Sequence, residues 1–234
     1  MIGLILGTGF DCDEGDPLPR RTPWGDVGGD QLAAAPGALV AARHGRGHGM
    51  PPHRLDPRAL LHAMREEGVD AVVALASAGA LREGLAVGDL VILDDFVELG
   101  PSLTFHSDRV VHTSMHAPFD APLARELLVG LDASTVHEGG VYVSVEGPRY
   151  PTRAELRFHA TLGDVVGMTI AREAALANEL GLRYAAICLV TDAADEVELD
   201  HERIARAGAT TREALRARVA EVARAGLSAS GAGR

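Results

Sequence analysis

The sequence predicts a single α/β domain built on a largely parallel or mixed sheet flanked by helices, and three observations carry that reading. Apolar runs of strand length alternate with stretches of helical periodicity, the pattern of a layered α/β fold. The run at 184–190 is apolar without a break, as a central strand covered on both faces must be. The chain has 234 residues, 47% of them hydrophobic, enough for one sizeable core, and it shows no internal repeat and no long linker.

The elements follow in order. Ile2–Leu6 reads as a buried strand ending in Gly7-Thr8-Gly9, and Ala38–Ala42 as a second ending in Arg43-His44. A helix comes next, with Asp56 as N-cap, Pro57 in the first turn, Leu60, Leu61 and Met64 as its buried stripe and Gly68 at its close. Residues 71–76 form a strand ending at Ser77-Ala78-Gly79, and 90–93 and 141–145 read as two more. Thr152-Arg153-Ala154-Glu155 has the form of a capping box and opens a helix. Another helix spans about 172–180 before Gly181. The central strand at 184–190 ends at Thr191-Asp192. A last helix starts from a capping box at Thr210-Thr211-Arg212-Glu213 and carries Leu215, Val219 and Val222 on one side. The domain covers 1–227, and the small-residue tail 228–234 is expected to fray.

Composition narrows the chemistry. All 22 basic residues are arginine, which excludes lysine Schiff-base enzymes and the GxxxxGK phosphate loop. Any phosphate must then be held by arginine, histidine, hydroxyls and backbone N–H groups. A net charge of −11 disfavours nucleic acid and anionic membranes as partners. The opening residues lack the form of a signal peptide and no apolar stretch reaches spanning length, so a cytoplasmic protein is expected. Cys12 and Cys188 show neither zinc spacing nor a disulfide framework, and Cys188 reads as a buried core thiol.

In open α/β sheets ligands bind beyond the carboxyl ends of strands. Thr8, Arg43, His44, Ser77 and Asp192 each follow a predicted strand, so four separate segments are placed to converge on one crevice. Gly7-Thr8-Gly9 allows close approach of backbone to an anion, although a plain tight turn has the same composition. The segment 43–53 holds two arginines and three histidines among glycines, a local anion trap in an acidic chain. Metal ligation by His44, His48 and His53 is the competing reading, and the adjacent arginines argue against it. Asp192, at the mouth of the most buried strand, is placed to hold or donate a proton, with Asp195 and Glu196 as neighbouring alternatives.

Segments in order along the chain, in a match running from Gly3 to about Asp192, also resemble the trimeric purine nucleoside phosphorylase family, and within it the 5'-methylthioadenosine phosphorylases. They are Thr22-Pro23-Trp24-Gly25; Arg43-His44-Gly45-Arg46-x-His48 with Pro52-His53; Gly79 through Asp89 with Val91-Ile92; Glu146-Gly147-Pro148-Arg149-Tyr150-x-Thr152-Arg153-Ala154-Glu155; and Asp164-Val165-Val166-Gly167-Met168-Thr169. The resemblance implies a nucleoside phosphorylase fold and phosphorolysis of a purine nucleoside, with inorganic phosphate as co-substrate and neither metal nor organic cofactor. By motif position it implies that Thr8, Arg43, His44 and Thr169 hold phosphate. Met168 lies against the ribose, and Asp192 contacts N7 and the 6-substituent of the base. His112, in a segment resembling one that reaches a neighbouring subunit, implies a homo-oligomer, a trimer or hexamer, with shared sites. The sequence also departs from the pattern. Ala194 stands where a second base-contacting carboxylate is usual. Pro151 argues against an inosine or guanosine enzyme. Ala76 replaces a hydroxyl or amide residue, with Ser77 offering a hydroxyl in its place. Arg172 brings a cation near the site. These departures keep 5'-methylthioinosine, another purine nucleoside and an inactive nucleoside-binding homologue in play beside 5'-methylthioadenosine.

Overall fold

The computed structural model describes residues 1–10, 12–131, 135–193 and 201–227. Residues 228–234, and with them the predicted tail, lie outside the described residues, as do Ala194, Asp195 and Glu196.

Strands β1 (Ile2–Leu6), β6 (Ala38–Ala42), β7 (Ala71–Ala80) and β11 (Arg183–Asp192) form the parallel heart of the sheet. Antiparallel additions flank it. On one side come β5 (Leu32–Ala34) and β2 (Asp16–Pro17), and on the other β8 (Leu90–Glu98), which runs antiparallel to β11. Beyond β8 lie β9 (Val136–Ser144) and β10 (Val165–Gly167), giving the order β10-β9-β8-β11-β7-β1-β6-β5-β2. A separate hairpin, β3 (Arg20–Thr22) and β4 (Gly25–Val27), turns at Pro23-Trp24, with Thr22 Oγ1 donating to the Gly25 carbonyl at 2.7 Å.

Strand β10 pairs with β9 on one edge and with β7 on the other. The strands β7, β11, β8, β9 and β10 therefore close on themselves, so this half of the sheet is a small barrel and has no free edge. Helices cover both faces. α1 (Pro57–Glu66) and α4 (Ile170–Glu179) pack on the face carrying Ala186, Cys188 and Val190. α2 (Ala121–Leu128) and α6 (Ala209–Ala225) pack on the face carrying Ala185, Ile187 and Leu189. The unbroken apolar run of β11 is the sum of two alternating sets, one per core. Burial pushes the Cys188 thiol up to about 12, so it is an inert core group.

The predicted elements form, and several of their boundaries move: β8 extends from the predicted 90–93 to Glu98, and β9 spans Val136–Ser144 in place of the predicted 141–145. Asp56 caps α1, its side chain accepting from Arg58 N at 3.0 Å. The capping box at Thr152 and Glu155 opens α3 (Arg153–His159). The box expected at Thr210 does not form. α6 starts at Ala209 behind Gly208, and the Thr211 hydroxyl donates to the Gly88 carbonyl at 2.8 Å. A tertiary acceptor takes the hydroxyl that local capping would have used. β7 runs on to Ala80, so Ser77 lies inside a strand, and α4 begins two residues before the predicted start. No helix among the described residues is long and apolar enough to cross a membrane.

Candidate active site

One cavity of about 160 Å³ opens where β1, β6, β7 and β11 end. Its walls include Thr8, Arg43, His44, Ser77, Met168, Thr169 and Asp192, seven of the eight residues singled out from the sequence. The convergence is a property of parallel strands, whose carboxyl ends all face one edge.

Arg43 is buried and forked onto Glu173 of α4, with Nε 2.5 Å from Oε1 and Nη2 3.0 Å from Oε2. Nη1 donates to the Leu75 carbonyl at 2.8 Å. The Tyr184 hydroxyl donates to Glu173 Oε2 at 2.7 Å. A guanidinium has five N–H groups, so about two remain for an anion in the cavity. Burial opposes the Arg43 charge, but the Glu173 carboxylate overrides it, and the group is held more firmly protonated than usual. Gly7 makes the room: a Cβ there would stand 2.3 Å from Arg43 Nη1. The first glycine of Gly7-Thr8-Gly9 is thus a packing requirement of the arginine.

His44 Nδ1 lies 2.9 Å from the Met50 carbonyl oxygen. A carbonyl only accepts, so Nδ1 carries the proton and the neutral ring offers Nε2 as an acceptor. Burial first, and the neighbouring Arg43 charge second, pull the imidazole down to about 3. Neutral His44 therefore accepts from a protonated oxygen. It donates to an anion only after taking up a proton. His48 stacks on His44 at 4.1 Å between ring centres, and His201, on α5 (His201–Arg206), stacks on His48 at 4.6 Å. Among the described residues no group of three or more His, Cys, Asp or Glu side chains is placed to hold a metal ion.

Thr169 precedes the first turn of α4, and its side chain makes no capping bond. Its N–H donates to the Tyr142 hydroxyl at 3.3 Å. The positive end of α4 thus comes to the cavity beside the Arg43 fork, an arrangement suited to an anion. Ser77 differs from expectation. Its hydroxyl donates to the Thr8 carbonyl at 3.2 Å, so it braces the loop after β1 and its proton is not aimed at a ligand.

Asp192 closes β11 just after an irregularity in register with β7. It is buried, and its Oδ1 accepts from the Thr191 hydroxyl at 2.8 Å. Oδ2 lies over Gly79, where an added Cβ would come within 2.4 Å of it. Pro148, Tyr150 and Pro151 line the same cavity, as do Ala76 and Ile204.

Two residues named from the sequence lie outside this cavity. Arg172 does not line the cavity; it is buried beside Glu98, Nε 3.8 Å from Oε1. His112 is exposed on the connection between β8 and α2 and does not line the cavity of its own chain. Glu173 and Tyr184 were not singled out from the sequence. The only local signal for Glu173 was a carboxylate among apolar neighbours at the start of a helix, where burial demands a cationic partner.

The family model described as the phosphorylase superfamily matches residues 2–224. The chain belongs to the phosphorylase superfamily. It is 40% identical over 207 residues to a probable S-methyl-5'-thioinosine phosphorylase of Methanopyrus kandleri, covering 84% of this chain and 80% of that one. It is 40% identical over 204 residues to an S-methyl-5'-thioadenosine phosphorylase of Pyrococcus horikoshii, covering 82% and 78%. A solved structure of the methylthioadenosine phosphorylase of Schistosoma mansoni, in complex with adenine, superposes with a TM-score of 0.83 at 28% identity, over 95% of this chain and 90% of that one. In this phosphorylase-superfamily chain, the segments at 43–53, 146–155 and 164–169 that resembled the family contribute Arg43, Pro148 and Met168 among others to the cavity, whereas Thr22–Gly25 lies in the separate hairpin.

Proposed function

We propose that the chain is a cytoplasmic pentosyltransferase that cleaves 5'-methylthioadenosine with orthophosphate, giving adenine and 5-methylthioribose 1-phosphate. The observation that carries the reading is one cavity holding both an anion cradle and a buried carboxyl group. Arg43, His44, Thr8 and the start of α4 at Thr169 make the cradle, and Asp192 supplies the carboxyl. A phosphate oxygen attacks C1' as the bond from C1' to N9 breaks. The positive charge developing on the sugar is stabilised by the adjacent phosphate. The purine leaves as a neutral base once N7 gains a proton, which Asp192 is placed to hold or relay. Met168 lies against the ribose. Phosphate is the co-substrate, and the reaction needs no metal or organic cofactor.

The tautomer of His44 bears on which phosphate species binds. The monoanion can donate its P–OH to neutral Nε2. The dianion must bring a proton onto the ring. Either way one proton is shared between His44 and phosphate.

We further infer a homo-oligomer, a trimer by family likeness, in which His112 reaches the site of a neighbouring copy. Its flanks support this: Val110 is 86% and Val111 43% exposed, an apolar strip with no partner in its own chain. The 40% identity to a thioinosine phosphorylase supports a second reading, with 5'-methylthioinosine as substrate.

The test is base release from 5'-methylthioadenosine, adenosine, 5'-methylthioinosine and inosine, each with and without phosphate. Phosphate-dependent adenine release is the expected result. Release from the 6-oxo pair alone would replace the substrate, and release without phosphate would replace the reaction.

A further inference from the structure

Another buried arginine stands behind the cavity wall. Arg212, on α6, is 4% exposed and does not itself line the cavity. Its Nη1 donates to the Thr8 carbonyl at 2.6 Å. Its Nη2 donates to the Ile204 carbonyl at 3.0 Å and to Ser77 Oγ at 3.3 Å. Its Nε donates to the Ala207 carbonyl at 3.3 Å. The guanidinium carbon sits 4.7 Å over the centre of the Phe10 ring.

Those partners belong to three elements of the site. Thr8 is in the loop after β1, Ser77 is in β7, and Ile204 is in α5, which brings His201 and Ile204 to the cavity. Helix α5 has six residues, too few to be stable alone. Ile204 and Ala207 present carbonyls at its carboxyl end, where a cation is favoured. One guanidinium therefore satisfies the end of α5 and, with its other arm, holds the carbonyl of the threonine expected at phosphate. Charge-assisted bonds of this kind are about twice as strong as neutral ones, and a planar fork fixes the two carbonyls relative to each other.

We propose that Arg212 is a positioning residue that registers the loop at Thr8 against α5, so that an anion at Thr8 and a nucleoside beneath α5 bind with mutual dependence. The inference rests on the phosphorolysis reading of the cavity. An anion that pulls Thr8 into one position sets the Thr8 carbonyl. Arg212 follows it, and α5 follows Arg212. The coupling is reciprocal by linkage.

The test uses the intact protein, Arg212→Gln and Arg212→Lys. 5'-Methylthioadenosine is titrated calorimetrically with and without inorganic sulfate, an unreactive anion of phosphate's shape. Steady-state rates give the phosphate KM and kcat, and circular dichroism reports folding. In wild type, sulfate should tighten nucleoside binding. In Arg212→Gln the phosphate KM should rise by about tenfold, as for one lost charge-assisted bond, and the tightening should disappear. Arg212→Lys keeps the charge without the fork and should fall between the two. A folded Arg212→Gln with wild-type phosphate KM and wild-type coupling overturns the proposal, even if its kcat or melting temperature drops. If Arg212→Gln does not fold, unchanged coupling in Arg212→Lys overturns it. Failure of the phosphorolysis reading looks different: wild type itself would show no phosphate-dependent turnover and no response to sulfate.

Discussion

Arg43 is buried with its charge answered by Glu173, and that pairing decides what substitutions there should do. Glu173→Gln keeps the shape and removes the charge, leaving a buried cation unpaired. A loss of about 3–5 kcal/mol is expected, read by chemical denaturation. Added phosphate should return part of it, more than it adds to wild type, because the anion replaces the missing carboxylate. Asp192→Ala should lower kcat by ~10²–10⁴ with the fold intact, the range of a lost general acid. Unchanged turnover would remove Asp192 from the chemistry. His44 gives the pH dependence. Its folded value of about 3 lies below the ordinary 6.5, so the unfolded chain binds the extra proton across that interval. Stability of the ligand-free protein should therefore be full above pH 6.5 and fall on acidification toward 3, by about 2 kcal/mol between pH 6.5 and 5. His44→Asn should flatten that slope in denaturation series at several pH values. Thr8, Arg43, His44 and Asp192 line the cavity because each lies at the end of a strand that the hydrophobic pattern marks, whereas Met168 and Thr169 follow β10, a strand that pattern did not mark. Ser77 reached the cavity but turned its hydroxyl to Thr8. That choice depends on a backbone 69 residues away and leaves no local trace.

At the scale of elements, local chemistry was legible where side chains act on their own neighbours. Asp56 caps α1 and Thr152 caps α3, both two or three residues from the N–H they serve. Asp56→Ala should cost about 1 kcal/mol and shift the denaturation midpoint without touching substrate KM. The box at Thr210 failed for the opposite reason. Thr211 and Arg212 found partners at Gly88 and Thr8, 123 and 204 residues away. Long-range acceptors outcompete local ones when burial removes water from the competition. The strands β7, β8 and β11 also run further than their apolar runs. Their ends carry polar residues, which a hydrophobic pattern excludes and a ladder of backbone bonds does not.

At the scale of the whole molecule, the exposed segment with His112 sets the prediction. If its target is a neighbouring site, the protein should sediment as a trimer, and neither His112→Ala nor Asp192→Ala homo-oligomers should be fully active. Mixing and reassembling the two should restore activity, to about a quarter of wild type by random pairing, since some sites then draw each intact residue from a different chain. No recovery in verified mixed oligomers would confine each site to one chain. The sequence by itself determined the α/β class, the strand ends that line the cavity, the concentration of arginine and histidine at 43–53 and the absence of lysine. These are written in composition, periodicity and spacing, which act over a few residues. Only the tertiary structure decided that β10 closes a barrel, that Glu173 meets Arg43 across 130 residues, that the His44 proton faces Met50, and that Arg212 braces the wall from behind. Each of those pairings joins groups that the chain order alone does not bring together. Their partners are chosen by which surfaces the packed core brings into contact, and no local pattern encodes that choice.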